Sequence, residues 1–166
     1  MIVVRPQTPA DLEQICAVNA AAFAAHSGTK SFDRFREERT DIISLVAETH
    51  GQIVGHVLFS PVTLATPEGP VTGMGLGQLA VDPAYQKRGF GTQLANSGLD
   101  QLRMQGCPFV IVVGHARYYP RFGFEPGINH NFVCQWESIP DDNFMVLFPN
   151  GERGSTLSGI ASFDGM

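Results

Sequence analysis

Gln86-Lys87-Arg88-Gly89-Phe90-Gly91-Thr92 stands between a strand that ends near Val81 and a helix predicted from about Gly89 to Gln105. The first N–H groups of a helix have no carbonyl partner within it, and the helix dipole favours negative charge beyond its N-terminus. Gly89 and Gly91 remove the side chains that would hold a bulky anion away from those groups. Lys87 and Arg88 oppose the dipole, at a cost of about 0.3–1 kcal/mol each when exposed, and no acid offsets them in the first turn. An anion seated on the turn would balance both. The plain alternative is a solvated loop with incidental charges.

The pattern of the turn narrows the anion. GxxxxGK[ST] is absent, which argues against a P-loop nucleotide site. Gly89-x-Gly91 begins a dinucleotide fingerprint, but Leu94 stands where the third glycine belongs. The next strand, Phe109 to Val113, also ends without the acid that would hold a ribose.

Working outward, Ile2 to Arg5 reads as a strand, and Thr8-Pro9-Ala10-Asp11 as the capped start of a helix. That helix carries an apolar stripe of Leu12, Ile15, Cys16, Ala22 and Phe23, broken by Asn19. A more polar helix is predicted over Ser31 to Arg39. Ile43–Glu48 and Ile53–Leu64 are β-rich and flank a hairpin turn at Thr49-His50-Gly51-Gln52. A further strand is predicted from Val71, after the turn Pro67–Pro70, to Val81. Its alternate glycines, Gly73, Gly75 and Gly77, suggest a bulge or a closely approaching ligand.

On the long helix, Leu94, Ala95, Gly98, Leu99 and Leu102 form the packing face, and Gly106 is the stop. Phe109 to Val113 suits a strand buried on both sides. A helical turn around Arg117–Arg121, a strand at Phe122–Glu125 and an irregular β-rich tail from Asn131 follow, with Asn143–Phe148 its clearest strand. The order is α/β (α+β), with a mainly antiparallel central sheet and flanking helices.

With 166 residues, 43% hydrophobic and 16% charged, the chain is expected to form one domain with a substantial core. Its longest apolar run, Ala20 to Ala25, is too short for a membrane helix, and a net charge of −5 argues against a nucleic-acid binder with a broad basic face. No secretory leader is evident at Met1-Ile2-Val3-Val4-Arg5. Cys16, Cys107 and Cys134 form no CxxC pair, so no metal site or disulfide framework is expected. They are read as small buried fillers in a cytoplasmic protein.

The turn and its surroundings resemble the GNAT superfamily of acyl-CoA-dependent N-acetyltransferases. Gln86-x-x-Gly89-x-Gly91 matches the motif Gln/Arg-x-x-Gly-x-Gly/Ala. Leu79-Ala80-Val81-Asp82-Pro83-Ala84-Tyr85 resembles the strand that precedes it, Tyr119-Pro120-Arg121-Phe122-Gly123-Phe124 the Tyr-x-x-x-Gly-Phe element, and Gly55-His56-Val57 an upstream strand. The likeness covers roughly Ile2 to Glu125, which implies a single GNAT domain over 1–166 with 131–166 as a C-terminal β-rich extension.

The resemblance implies two strands splayed around the central helix, with the cofactor acetyl-CoA (coenzyme A) between them. Pantetheine would bond the backbone of Leu79, Ala80 and Val81. The diphosphate would rest on Gln86, Lys87, Arg88, Gly89, Phe90, Gly91 and Thr92. Tyr119 is implied as general acid to the departing CoA thiolate, with neighbouring Tyr118 as the alternative, and the Val81 amide would steady the oxyanion.

Relatives commonly carry a glutamate on the strand ending at Val81. This chain has Gln78 and no carboxylate from Val71 to Val81, which leaves His56, His115, Glu48 or an already neutral amine to meet the need for a base. The expected partner is a small-molecule or protein amine, with an acceptor pocket expected from the two N-terminal helices, their loop near His26–Ser31 and the tail. The alternatives are a catalytically silent CoA-binding module and a self-associating domain. The second, a homodimer, would use the aromatic tail of Phe132, Trp136, Phe144 and Phe148.

Overall fold

The computed structural model describes residues 1–23, 40–151 and 157–164. The helix expected at Ser31–Arg39 and the acceptor-pocket loop expected near His26–Ser31 lie outside the described residues. The chain divides into two compact units: Met1–Phe59 with Gly77–Leu99, and Ser60–Leu76 with Asp100–Met166.

In the first unit, β1 (Val3–Pro6) leads through a 3-10 turn at Pro9–Asp11 into α1 (Leu12–Ala22). β2 (Ile43–Thr49) and β3 (Gln52–Thr66) form the expected hairpin, with His50 at φ 50° and Gly51 at φ 74° making the turn. β1 pairs antiparallel with β2, and β2 with β3. β4 (Gly69–Val81) is the next neighbour, starting two residues before the expected Val71. α2 (Phe90–Met104) follows and buries Leu94, Ala95 and Leu99. The core joins Ile15 and Val18 of α1 to Val46, Ile53 and Ala80.

The predicted stripe on α1 holds at Ile15, Ala22 and Phe23, which pack into the core, and fails at Cys16 and Asn19. Ile15, Val18 and Asn19 are buried, whereas Cys16 is exposed, contrary to its reading as a buried filler. Cys107 is buried and Cys134 half-buried.

A charged cluster fastens the start of this unit. Arg5 donates to Asp11 at 2.8 and 3.0 Å and to Glu48 at 2.8 Å, while the Thr8 amide and hydroxyl donate to Asp11. The Arg5 guanidinium, chiefly, holds the Asp11 carboxyl down at about 2 against burial, which acts the other way. A carboxyl whose pKa is lowered by folding stabilises the fold above its unfolded pKa, near 4, and loses that contribution as pH falls toward 2. Asp11→Asn should therefore cost about 1–2 kcal/mol at pH 7 and nearly nothing by pH 2. Denaturant titrations of both forms across that window would read the convergence; a pH-independent gap would refute it.

In the second unit, β5 (Val110–Val113) runs parallel to the Met74–Leu76 part of β4 and antiparallel to β8 (Phe144–Leu147). β6 (Glu125–Pro126) adds to β8. β9 (Gly159–Phe163) covers β3 at Val62–Ala65, and β7 (Phe132–Cys134) lies parallel to β9. Val62, Leu64, Phe109, Ile111, Phe132, Phe144, Val146 and Phe163 fill the core, so two of the four tail aromatics are central packing groups. Trp136 and Phe148 pack against them, partly buried.

Two expectations fail here for definable reasons. The strand placed at Phe122–Glu125 begins only at Glu125, because Tyr119–Phe122 is a 3-10 turn closed by Gly123 at φ 101°. Gly73 and Gly75 of β4 do not wait for a ligand. A Cβ on Gly73 would stand 2.6 Å from the Phe109 ring, and one on Gly75 would overlap Phe163 and Val62. The missing side chains make room for aromatic rings of the core.

Candidate active site

The turn before α2 is built by three local devices. Asp82 accepts from the Ala84 amide at 2.9 Å and, through its carbonyl, from Tyr85 at 2.8 Å, which folds the chain as it leaves β4. Gln86 donates its side-chain amide to the Val81 carbonyl at 3.0 Å and closes the loop. Lys87 at φ 64° and Gly89 at φ 88° then reverse the backbone into the helix. Gln93 N–H, bonded to the Gly89 carbonyl at 3.1 Å, is satisfied in the helical manner; the N–H groups of Phe90, Gly91 and Thr92 precede it and have no such carbonyl.

Space around these groups is open. A Cβ on Gly89 would meet nothing within 4 Å, Lys87 and Arg88 are exposed, and Gly91 and Thr92 are half-exposed. Phe90 differs: its ring is buried and edge-on to Tyr85 at 5.9 Å, anchoring the turn, with only its backbone left for a ligand. Arg88 lies 5.6 Å over the same Tyr85 ring, which steadies the cation beside the amides. The donor set is fitted to a diphosphate, by open amides, two cations and a hydroxyl.

The strand that feeds the turn has a distinct inner face. The ladder of β4 with β5 covers Met74–Leu76, and Gly77 to Val81 continue beyond it. Ala80 is buried, while Leu79 and Val81 are half-buried. Gln78, 4% exposed, accepts from Asn19 Nδ2 of α1 at 3.3 Å, and Asn19 is itself 2% exposed. Asn19 was visible in the sequence only as a break in an apolar stripe; a lone amide there was the signal of a buried polar pair.

The base candidates separate clearly. His56 is fully buried with Nε2 2.8 Å from the Ser44 hydroxyl, which also donates to Gln7. Glu48 is held by Arg5. His115 is exposed, and its carbonyl accepts from the amides of Tyr118 and Tyr119.

Tyr119 opens the 3-10 turn of the second unit, its ring packed on Gly114, where any Cβ would collide with it. Tyr118 meets it edge-on at 5.1 Å and Phe124 at 5.9 Å. Burial, and secondarily Tyr118, push the Tyr119 phenol well above its ordinary range, so it stays protonated at any physiological pH. Tyr118 is covered instead by Arg121, 4.1 Å over its ring.

A family model described as an acetyltransferase (GNAT) domain matches residues 3–127. The chain belongs to the GNAT acetyltransferase family. Among its relatives, the uncharacterized N-acetyltransferase YhbS of Escherichia coli strain K12 is 33% identical over 136 residues, 81% of this chain and 80% of YhbS. The crystal structure of YhbS from Escherichia coli in complex with CoA has a TM-score of 0.89 and 29% identity, over 98% of this chain and 89% of that one. A GNAT acetyltransferase from Brucella melitensis in complex with acetyl-CoA gives a TM-score of 0.80 and 31% identity, over 99% and 97%. The likeness to these GNAT structures extends well past residue 127, into the tail that the family model leaves out.

Proposed function

We propose that this GNAT chain moves an acetyl group from acetyl-CoA to a primary amine by direct attack, with Tyr119 as general acid. The observation that carries the reading is the open, doubly cationic first turn of α2, set directly after a β4 segment that outruns its ladder with β5. Acetyl-CoA supplies the thioester carbonyl that the amine attacks and the thiolate that leaves. Lys87 and Arg88, with the amides of Gly89, Phe90, Gly91 and Thr92, hold the diphosphate. Leu79, Ala80 and Val81 offer backbone groups to the pantetheine amides, and the Val81 N–H faces the charge that grows on the carbonyl oxygen. Gln86 acts as a brace, since its amide is spent on Val81.

In the transfer, the ammonium loses one proton to water, the free amine attacks and a C–N bond forms, the nitrogen then gives a second proton to water, the C–S bond breaks, and the sulfur takes a proton from Tyr119. The phenol then regains one from solvent. We read the chain as a single acetyltransferase domain over 1–166, with 131–166 as its β-rich extension; the family match over 3–127 and the longer structural likeness support that. The acceptor is a small-molecule or protein amine, and a cytoplasmic setting fits this chemistry.

Thiol release over a panel of primary amines tests the activity, and calorimetry with CoA tests the turn. Arg88→Glu is expected to weaken CoA about tenfold by placing a carboxylate beside the diphosphate. Unchanged CoA affinity in that variant would remove the turn from the site.

A second reading is a silent CoA-binding module, favoured by the buried amide pair between Asn19 of α1 and Gln78 of β4, a strand that carries no carboxylate from Val71 to Val81. CoA binding without thiol release for any amine would select it.

A further inference from the structure

We propose that the second unit carries a binding cavity for a small organic ammonium ion with an apolar body. The cavity measures about 250 Å³, roughly eight water volumes, enough for a ligand of that many heavy atoms. Its walls are aromatic and aliphatic: Phe132 and Phe144 from β7 and β8, with Trp136 and Ile139 from the turn between them. Glu137 and Asp141 also line it, both exposed, and none of the described lining residues is basic. Among the described residues no cation pairs with either carboxylate.

The walls are fixed rather than adaptable. Phe132 and Phe144 belong to the buried core. Trp136 is stacked on Phe163 at 5.8 Å with 21° between the rings, and its carbonyl accepts from the Ile139 amide, which folds the turn back on itself. The Asn143 amide closes the next turn on the Pro140 carbonyl at 2.9 Å, and this holds Asp141 at the rim. An apolar floor with an indole, beneath two carboxylates, selects against anions. It favours a cation whose body can leave water while its charge stays near the rim.

Trp136 is the chain's single tryptophan, so fluorescence excited at the red edge of the indole band, where the three tyrosines do not absorb, reports on this cavity. The test titrates the protein, without CoA or acetyl-CoA, with 2-phenylethylamine, with neutral 2-phenylethanol and with phenylacetate, reading fluorescence and calorimetric heat in parallel. The amine should saturate, the alcohol should bind about tenfold more weakly, and phenylacetate should not saturate. The double variant Glu137→Gln, Asp141→Asn should bring the amine down to the level of the alcohol. No saturable response to the amine by either readout, or equal affinity for amine and alcohol in the unaltered protein, would overturn the proposal. Because the titration involves no acyl transfer, its result is independent of whether the chain acetylates anything.

Discussion

Tyr119→Phe is expected to lower kcat about a hundredfold while leaving CoA affinity within a factor of two, a loss of about 2.7 kcal/mol in the transition state. The substitution removes one oxygen and keeps the ring that packs on Gly114 and meets Tyr118 and Phe124 edge-on, so the fold has little reason to respond. The effect should be as large at pH 9 as at pH 7. Burial disfavours the phenolate, the phenol's pKa is raised, and the hydroxyl stays protonated across that whole interval. The same rise makes donation to a thiolate uphill, so the hydroxyl is most effective once C–S cleavage has placed negative charge on sulfur. Steady-state thiol release at the two pH values, with calorimetry for CoA, reads both parts. A variant that kept full turnover would take Tyr119 out of the mechanism, and Tyr118→Phe would then be the one to examine.

Gly159→Ala should cost about 3 kcal/mol, enough to lower the melting temperature by roughly 6–12 °C. Gly159 has φ 142°, a conformation that L side chains rarely adopt, and an added Cβ would fall within 2.9 Å of the Ala65 carbonyl carbon and closer still to its oxygen. Neither side can yield cheaply. Ala65 is paired with Ile160, and the Gly159 amide is bonded to the Asn131 carbonyl at 3.0 Å. Gly69→Ala is the control, since its φ is 118° but a Cβ there meets nothing within 4 Å; backbone strain alone should cost about 1–2 kcal/mol. Thermal melts that ranked the two substitutions equally would refute the steric account.

What could be read from the sequence was what neighbours along the chain determine. The turn at Gln86–Thr92, the hairpin at Thr49–Gln52 and the burial of Phe109–Val112 each depend on a few consecutive residues, and each was found where expected, with Val113 half-buried at the strand's end. Gly73 and Gly75 were misjudged because the rings that fill their space, Phe109 and Phe163, arrive from distant parts of the chain. The tail looked irregular for the same reason: β7 is three residues long, and the strand it pairs with, β9, pairs in turn with β3. On α1, Cys16 and Asn19 were assigned opposite faces from the true ones because a cysteine counts as apolar and an amide does not. The partner that draws Asn19 inward, Gln78, stands fifty-nine positions away. Of the base candidates, composition could not reveal that His56 is sealed against Ser44 or that Glu48 is engaged by Arg5.

The late return of β9 bears on synthesis as well as on stability. Thr63 bonds Asp164 at 2.8 Å across a separation of 101 residues, and the strand bearing Asp164's neighbours is what covers β3 from Val62 to Ala65. A ribosome emitting this chain therefore presents an uncovered apolar strand edge throughout translation of the residues in between. Pairing at so long a separation is slow and leaves that edge open to neighbouring nascent chains. Until β9 closes on it, that edge is where a partly made or partly unfolded chain is most exposed to aggregation.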